Sequence, residues 1–286
     1  DFEAEPGIPL LPPVCGRCGE NDPMHEDLIR SAEEWRRDFH RHPELDFDVL
    51  RTAEKVATYL VEFGCDRVET GIGRSGVVAV IHGRHPGRGP NIAIRADMDA
   101  LPIVEESGVP HASTRKGLMH ACGHDGHTAM LLGAAKALAH ERNFQGSVVL
   151  VFQPAEEGGG GARAMIEDGL FDRFEIDEIY GLHNWPSLEV GRFMLAPGPV
   201  LMASDRFTIH VQGPGGHAAR PHECADVILA SSQLVQALHT IVPRNLNPSE
   251  QAVLSVTSIH GGDAFNVLPG SVTIRGTVRT LSPETR

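Results

Sequence analysis

Three short apolar runs, each followed at once by polar residues, most constrain the fold of this chain. Residues 91–96, 147–152 and 178–182 are rich in β-branched and aliphatic side chains, as buried strands are. In open α/β sheets ligands bind beyond the carboxyl ends of the strands, so the polar segments that follow predict one shared pocket. The sequence therefore predicts an α/β fold with a mixed, mostly parallel sheet flanked by helices.

A dense cluster of metal-binding residue types lies at residues 120–127, which read His-Ala-Cys-Gly-His-Asp-Gly-His. Thiolate and neutral imidazole are preferred ligands of zinc and its neighbours, and the two glycines allow tight backbone folding. Residues 128–138 are small or apolar, so we expect the cluster where a loop enters a buried helix. Cys122 has no partner at C-x-x-C spacing, which argues against a redox pair. The alternative is a polar loop that carries solvated histidines by chance.

Two adjacent carboxylates, Glu156 and Glu157, begin a glycine-rich loop directly after the run at 147–152. Adjacent side chains on an extended segment point in different directions, so one can bind a metal while the other faces water. Metal-assisted hydrolysis needs this division, because the ion lowers the pKa of water towards about 7 and a free carboxylate accepts the proton. A solvated acidic turn is the alternative. A phosphate-binding loop is disfavoured because no Gly-Lys-Ser/Thr ending follows.

Asp97, Asp99 and His183 each allow a simpler interpretation when taken alone. Paired aspartates are also typical of turns, and a histidine after a strand is often packed in a core. Their common position after predicted strands favours a shared site instead.

These segments resemble the M20 metallopeptidases, specifically the aminoacylase/amidohydrolase branch that includes hippurate hydrolases and auxin-conjugate hydrolases. The similar segments run in family order from about Met24 to the C-terminus. They are residues 38–45, 95–102, 119–127, 153–158, 181–186, 213–221 and 258–269.

The resemblance implies a pair of divalent ions bridged by the Cys122 thiolate. His124 and His183 would complete the protein ligands of one ion, and Glu157 would hold the other. Glu156 would be the general base that takes a proton from the water and later delivers it to the departing amine.

The resemblance also implies supporting roles for residues around the ions. Asp97 or Asp99 would lie in the second shell, Asp97 by preference, because a ligating histidine usually needs a carboxylate or carbonyl partner to fix its tautomer. We place Asp99 with Glu156 and His217 among the catalytic residues. His217 would donate a hydrogen bond to the developing oxyanion across a dimer interface, and Asn266 would contact the substrate. On sequence alone, His217 is equally a turn histidine.

The identity of the metal is less constrained than the site. The soft thiolate fits zinc, whereas a carboxylate ligand and open coordination also admit manganese, cobalt or nickel. For this branch of the family, manganese and zinc are favoured. His120 and His127 lie within the motif but are not assigned as ligands.

The segment after residue 196 reads as a smaller α/β sandwich in the order β-α-β-β. Its strands are predicted at residues 204–211, 252–259 and 271–279, and its helix at 226–241. In the M20 family such an inserted lid domain makes the homodimer and reaches over the active site. We therefore divide the chain into a catalytic domain at 24–196 and a partial lid/dimerisation domain at 197–286.

Both ends of the chain depart from the family pattern. Residues 1–23 are rich in Pro and Gly, lack the apolar run of a secretory signal and are expected to be disordered, which makes Met24 a plausible natural start. Cys15 and Cys18 have zinc-knuckle spacing but no second pair. Family members carry a C-terminal extension with one more metal-ligating histidine, so we expect this chain, which ends at Arg286, to be a fragment unless that ligand comes from elsewhere.

Composition narrows the class of protein. The net charge of −13 disfavours nucleic-acid binding. No stretch approaches the ~20 consecutive apolar residues of a membrane span. Five cysteines without a regular framework indicate a reducing compartment, which we take to be the cytoplasm.

We therefore expect a metal-dependent amidohydrolase that cleaves N-acyl amino acids into a carboxylic acid and an amino acid. A dipeptidase or aminopeptidase on the same scaffold is the alternative, as is a catalytically incomplete metal-binding fragment. Arg220 and Arg279 are candidates for the substrate carboxylate, and no motif reports the acyl group.

Overall fold

The structure is a computed structural model of the chain, and it describes residues 10–11, 23–85, 89–195 and 197–286. Cys15 and Cys18, and most of the extension predicted at 1–23, lie outside these residues. Within the described residues the chain forms twelve strands and six α-helices. The first are β1 (Leu10–Leu11), α1 (Pro23–Arg41), α2 (Leu50–Glu62), β2 (Arg67–Ile72), β3 (Gly76–His82), β4 (Asn91–Asp97), α3 (His124–Glu141), β5 (Ser147–Gln153), α4 (Gly161–Glu167), α5 (Leu170–Arg173) and β6 (Glu178–Gly181). They are followed by β7 (Phe193–Met194), β8 (Ala203–Gln212), β9 (Gly216–His217), α6 (Val227–Asn245), β10 (Ala252–His260), β11 (Val267–Leu268) and β12 (Ser271–Thr280).

The chain divides into two compact units, one of residues 23–189 and one of residues 190–286 together with β1. The domain boundary predicted between residues 196 and 197 falls a few residues after this division. The assignment of the two parts as a catalytic domain and a lid stays a prediction.

The first unit is built on a five-stranded sheet in the order β2-β3-β5-β4-β6. Strands β4, β5 and β6 run parallel, whereas β2 with β3 and β3 with β5 pair antiparallel. The mixed sheet is as predicted, and its antiparallel part begins with a hairpin, because a tight turn joins β2 directly to β3. The strands predicted at 91–96, 147–152 and 178–182 are confirmed as β4, β5 and β6.

Helices cover both faces of this sheet, because alternate side chains of its buried strands point to opposite sides. On β3, Val77 and Ala79 join a core with residues of α1, α2 and α3, while Val78 and Val80 join a second core. Met165 of α4 packs in that second core. The prediction of a sheet flanked by helices is confirmed.

The second unit contains a three-stranded antiparallel sheet in the order β10-β12-β8, with α6 packed against it through Val227. The side chain of Asp226 accepts a hydrogen bond from the backbone N–H of Leu229 at 2.9 Å, which caps the start of α6. Along the chain, β8, α6, β10 and β12 occur in the predicted β-α-β-β order.

The segment at residues 38–45 connects helices rather than contributing metal ligands. His40, buried at the end of α1, donates from Nδ1 to Asp125 Oδ2 at 2.8 Å and from Nε2 to Glu105 Oε1 at 3.2 Å. The hydrogen bond to Asp125 raises the pKa of His40, although burial opposes the shift. Glu44 accepts hydrogen bonds from the backbone N–H and the hydroxyl of Thr52 at 2.9 and 3.0 Å, in the first turn of α2.

We expect His40→Gln to lower the free energy of unfolding by about 1.5–3 kcal/mol at acidic pH, and by less at alkaline pH. A histidine with a raised folded-state pKa contributes stability that is fully present below its unfolded value of about 6.5 and is lost as the pH rises through the folded value. Urea unfolding of both proteins from about pH 5.5 to about pH 9 measures this difference. His140→Gln, at an exposed position of α3, is the control. An equal loss at every pH would contradict a charged His40.

Candidate metal centre

The carboxyl ends of β4, β5 and β6 meet at one edge of the sheet of the first unit. The register places Asp97 of β4 opposite Gln153 of β5, and Arg95 of β4 opposite Gly181 of β6. The segments that follow these strands therefore begin side by side, next to the start of α3. As predicted, the residues 120–127 lie where a loop enters a buried helix.

Cys122, His124 and His183 form a compact group of potential metal ligands. Their ligand atoms all lie within 4.8 Å of one another, and Cys122 Sγ is 3.4 Å from His183 Nε2. Cys122 is half-buried, His124 is fully buried and His183 is exposed. One thiol and two imidazoles at this spacing suit zinc and its first-row neighbours.

A second group of potential ligands shares His124 with the first. The ligand atoms of His124, Glu156 and Glu157 lie within 4.8 Å of one another. His124 Nε2 is 3.9 Å from Glu157 Oε1. The structure thus brings together all four residues that were predicted as ligands, with the predicted base beside them.

The orientation of His124 leaves one ring nitrogen available to an ion. Nδ1–H donates to the carbonyl oxygen of Asp99 at 2.8 Å, so Nε2 carries the lone pair. Nε2 is buried and has no hydrogen-bond partner among the described residues. A buried acceptor of this kind is stabilised by a ligand, and its position between the two groups fits a divalent metal ion.

The charges around this nitrogen also fit a divalent cation. Burial, and then the charge of Glu157, raises the pKa of the Cys122 thiol to about 12. Burial raises the pKa of Glu157 as well, with a further contribution from Glu156. Burial opposes protonation of His124, but its hydrogen bond to Asp99 and the charge of Asp97 raise its pKa. A divalent cation would reverse these shifts, because it favours the thiolate, the carboxylate and the neutral imidazole.

Asp99 orders the loop that carries the two glutamates. It is buried, and its Oδ1 and Oδ2 accept the backbone N–H groups of Glu156 and Glu157 at 2.9 and 3.1 Å. The preceding residue, Ala155, is also buried and has a left-handed backbone with φ of 52°. Its N–H donates to the carbonyl oxygen of Asp46 at 3.0 Å. These contacts make Asp99 a positioning group, and a catalytic role for it stays a prediction.

Asp97 is buried next to the rings of His124 and His127. Its Oδ1 accepts a hydrogen bond from His127 Nδ1 at 2.7 Å, and its Oδ2 accepts one from Arg95 Nη1 at 2.7 Å. Burial opposes ionisation, but these partners lower the pKa of Asp97 well below its usual range. Asp97 Oδ2 is 3.5 Å from His124 Nε2, so the tautomer of His124 is fixed by the carbonyl of Asp99 and not by Asp97.

The other two histidines of the motif have different surroundings. Asp97, His124 and His127 also lie close enough to hold an ion, but both ring nitrogens of His127 are engaged, by Asp97 and by Asn184. His120 is buried with neither ring nitrogen hydrogen-bonded to a described residue, and burial lowers its pKa to about 4. Sequence reasoning missed Asn184 as a contact of this site, although it directly follows His183.

His217 and Asn266 lie together in the second unit, where β9 pairs with β11. The N–H of Ala218 donates to the carbonyl oxygen of Asn266 at 3.0 Å, and the N–H of Ala219 donates to His217 Nδ1 at 3.1 Å. Both side chains are exposed, and their predicted roles stay predictions.

The two arginines predicted as candidates for the substrate carboxylate bond to residues close to them in the chain. Arg220 Nη1 is 3.4 Å from Glu223 Oε1, and Arg279 donates to the hydroxyl of Thr277.

Fold and site together define an α/β protein with a metal-binding group at the carboxyl ends of parallel strands. Residues 93–279 match the model of peptidase family M20/M25/M40. The chain belongs to this family.

Individual relatives agree with this assignment. The chain is 47% identical over 260 residues to a hippurate hydrolase of Campylobacter jejuni, covering 91% of this chain and 67% of the relative. It is 48% identical over 252 residues to an N-acetyl-L-cysteine deacetylase of Bacillus subtilis, covering 88% of this chain and 59% of the relative. A dinuclear metal-binding M20 peptidase of Bacillus subtilis has a similar structure, with a TM-score of 0.70 and 37% identity over 93% of this chain and 67% of that one. The chain thus spans about two thirds of the hippurate hydrolase and less of the deacetylase.

None of the helices in the described part of the chain combines the length and the apolar character that crossing a membrane requires.

We expect Cys122→Ala to lose most of its bound zinc or manganese, because the thiolate is the strongest donor of the group and lies beside His183 and Glu157. Elemental analysis after metal loading and dialysis gives the metal content per chain. Cys65→Ala is the matched control, since the Cys65 thiol is also partly buried, with a pKa that burial raises to about 11. Full metal content in Cys122→Ala would contradict a thiolate ligand.

Proposed function

We propose that this chain is the metal-dependent catalytic part of an amidohydrolase that cleaves the amide bond of N-acyl-L-amino acids, releasing a carboxylic acid and an amino acid. The observation that carries the proposal is the convergence of Cys122, His124 and His183 with Glu156 and Glu157. The two named relatives, a hippurate hydrolase and an N-acetyl-L-cysteine deacetylase, support this substrate class.

Cys122, His124, His183 and Glu157 would together hold two divalent ions, the first three in one group of ligands and Glu157 in the adjoining group. Zinc or manganese suits this mixture of thiolate, imidazole and carboxylate best, and cobalt or nickel is compatible with it. When bound, the ions would supply a nucleophilic water at neutral pH and polarise the amide carbonyl.

Glu156 is the group that we assign to proton transfer. Its backbone is held by Asp99 at 2.9 Å, yet its side chain is exposed, whereas that of Glu157 is 23% exposed and turned towards His124. An exposed carboxylate next to the ligands is able to meet both the attacking water and an entering substrate. It would accept the proton of the water and deliver it to the nitrogen of the departing amine.

We assign the second unit to substrate handling. His217 would donate a hydrogen bond to the developing oxyanion, and Asn266 would contact the substrate. The pairing of β9 with β11 holds both residues in one place, and the bond from Ala219 to His217 Nδ1 leaves Nε2 as the donor. We further propose that this unit forms a homodimer and that the protein is cytoplasmic. The free thiols of Cys65, Cys122 and Cys224 are consistent with a reducing compartment.

An incomplete metal-binding fragment is the second candidate, because the chain spans only 59% of the deacetylase and 67% of the hippurate hydrolase. A relative of full length would be able to supply a further ligand or a further part of the substrate pocket. The two candidates differ in turnover and not in metal binding.

Amine release from a panel of N-acyl amino acids distinguishes these candidates. We expect turnover of N-benzoylglycine or N-acetyl-L-cysteine with added manganese or zinc, and its loss on treatment with a chelator. Turnover of dipeptides alone would replace the amidohydrolase with a dipeptidase. A folded, metal-loaded chain without turnover would favour the incomplete fragment, and the panel would then be repeated with the longer protein.

We expect Glu156→Gln to lower kcat about 10²–10⁴-fold, the usual contribution of a general base, and to leave the metal content unchanged. The amide keeps the shape of the carboxylate but does not accept the proton. Steady-state kinetics with metal analysis of the same samples measures both effects. Glu141→Gln, an exposed carboxylate at the end of α3, is the control. Undiminished kcat in a metal-loaded Glu156→Gln protein would contradict the mechanism.

A further inference from the structure

We propose that His127 is a positioning residue that aims His183 at the metal centre by linking Asp97 to the backbone of Asn184. The inference rests on the proposed function, because it assumes that His183 is a metal ligand. It assigns a purpose to a motif histidine that is not itself available as a ligand.

The first half of the link runs from the sheet to His127, in the first turn of α3. His127 Nδ1–H donates to Asp97 Oδ1 at 2.7 Å, and the ring is buried. Asp97 is fixed in turn by Arg95, whose Nη1 donates to Asp97 Oδ2 at 2.7 Å and whose Nε donates to Gln153 Oε1 at 2.9 Å. The imidazole therefore has one defined tautomer and one defined orientation.

The second half runs from His127 to the segment after β6. With the proton on Nδ1, Nε2 accepts the backbone N–H of Asn184 at 3.0 Å. The side-chain Oδ1 of Asn184 lies 2.6 Å from the same nitrogen. The one lone pair of Nε2 is taken by the backbone N–H, so the side-chain amide contacts the ring without a second donation. Asn184 is thus held at its backbone.

These contacts determine where His183 points. His183 Nδ1–H donates to the carbonyl oxygen of Asn184 at 2.8 Å, which leaves Nε2 facing Cys122 Sγ at 3.4 Å. The rings of His127 and His183 meet edge to face, with centroids 4.6 Å apart. His183 is exposed and follows a short strand, and among the described residues its ring bonds to the Asn184 carbonyl and contacts Cys122 and His127.

The segment that carries Cys122 and His124 leaves room for the side chain of Asn184 at Gly123. Gly123, between Cys122 and His124, has φ of 86°, a left-handed conformation that favours glycine. A Cβ at this position would lie 2.3 Å from Asn184 Oδ1. The amide of Asn184 therefore packs directly on the backbone that carries the other two ligands of the group.

Three substitutions of His127 test its bond to Asp97 and its bond to Asn184 separately. In His127→Gln, the amide reaches the position of Nε2 and is able to accept the Asn184 N–H, but the bond to Asp97 is lost. In His127→Asn, the amide takes the position of Nδ1 and keeps the bond to Asp97, but the bond to Asn184 is lost. His127→Phe keeps the ring volume and loses both bonds. His140→Gln on the same helix is the control.

The measurement is titration of the metal-free chain with Co²⁺, followed by the visible absorption of the bound ion and, separately, thermal unfolding of the metal-free proteins. We expect His127→Asn and His127→Phe to bind Co²⁺ about 10–100-fold more weakly and with altered visible bands, as the loss of a partner behind a ligating histidine does. His127→Gln, which keeps the bond to Asn184 but loses its anchor on Asp97, should bind Co²⁺ with an affinity between those of the wild-type chain and His127→Phe, and His140→Gln should bind with full affinity.

A purely structural role would lower the unfolding temperature and leave the bands of the loaded protein unchanged. His127→Phe with wild-type affinity and bands would overturn the proposal, as would His127→Asn with wild-type affinity and bands. The conservative variants keep the test valid if His127→Phe does not fold. Because Co²⁺ binding is read without hydrolysis, a chain that binds the ion but does not cleave N-acyl amino acids contradicts the proposed function alone. A wild-type chain that binds no Co²⁺ overturns both.

Discussion

The pair of hydrogen bonds that Asp99 accepts from the backbone of Glu156 and Glu157 is the interaction on which the rest of the metal centre depends. The carbonyl oxygen of the same residue accepts the Nδ1–H of His124. One buried residue after β4 thus orients groups that come from the loop after β5 and from the start of α3. In a buried environment, hydrogen bonds to a carboxylate are strong, and the loss of one lowers the stability of the folded state because a buried polar group is left without a partner.

The segment at residues 38–48 supports this arrangement from outside the site. His40 ties α1 to the start of α3 through Asp125, and the carbonyl oxygen of Asp46 receives the N–H of Ala155 before the two glutamates. Ala155 adopts a left-handed conformation that costs about 1–2 kcal/mol for a residue with a Cβ. The surrounding bonds offset that cost, so the direction of the glutamates depends on a part of the chain that supplies no ligand.

The sequence was sufficient to predict the strands, because each one that ends at the site is a run of apolar residues with polar residues directly after it. The ligand cluster was also evident, since thiol and imidazole side chains rarely lie so close by chance. The division of roles between Asp97 and Asp99 was not predictable, because it depends on which residue faces which neighbour once β4 has paired with β5. The link from His40 to Asp125 spans 85 residues, and no local pattern reports a pair so distant in the chain.

The placement of His183 after β6 has a consequence for the order in which the site opens. Among the described residues β6 bonds only to β4, it is four residues long and all four are exposed. Short edge strands separate from a sheet at a lower free energy than the core strands do, in local openings that leave the remainder folded. Opening of this strand would therefore release His183 from the group of ligands first. His124, at the start of a helix anchored in the core, and Cys122, just before that helix, would stay in place.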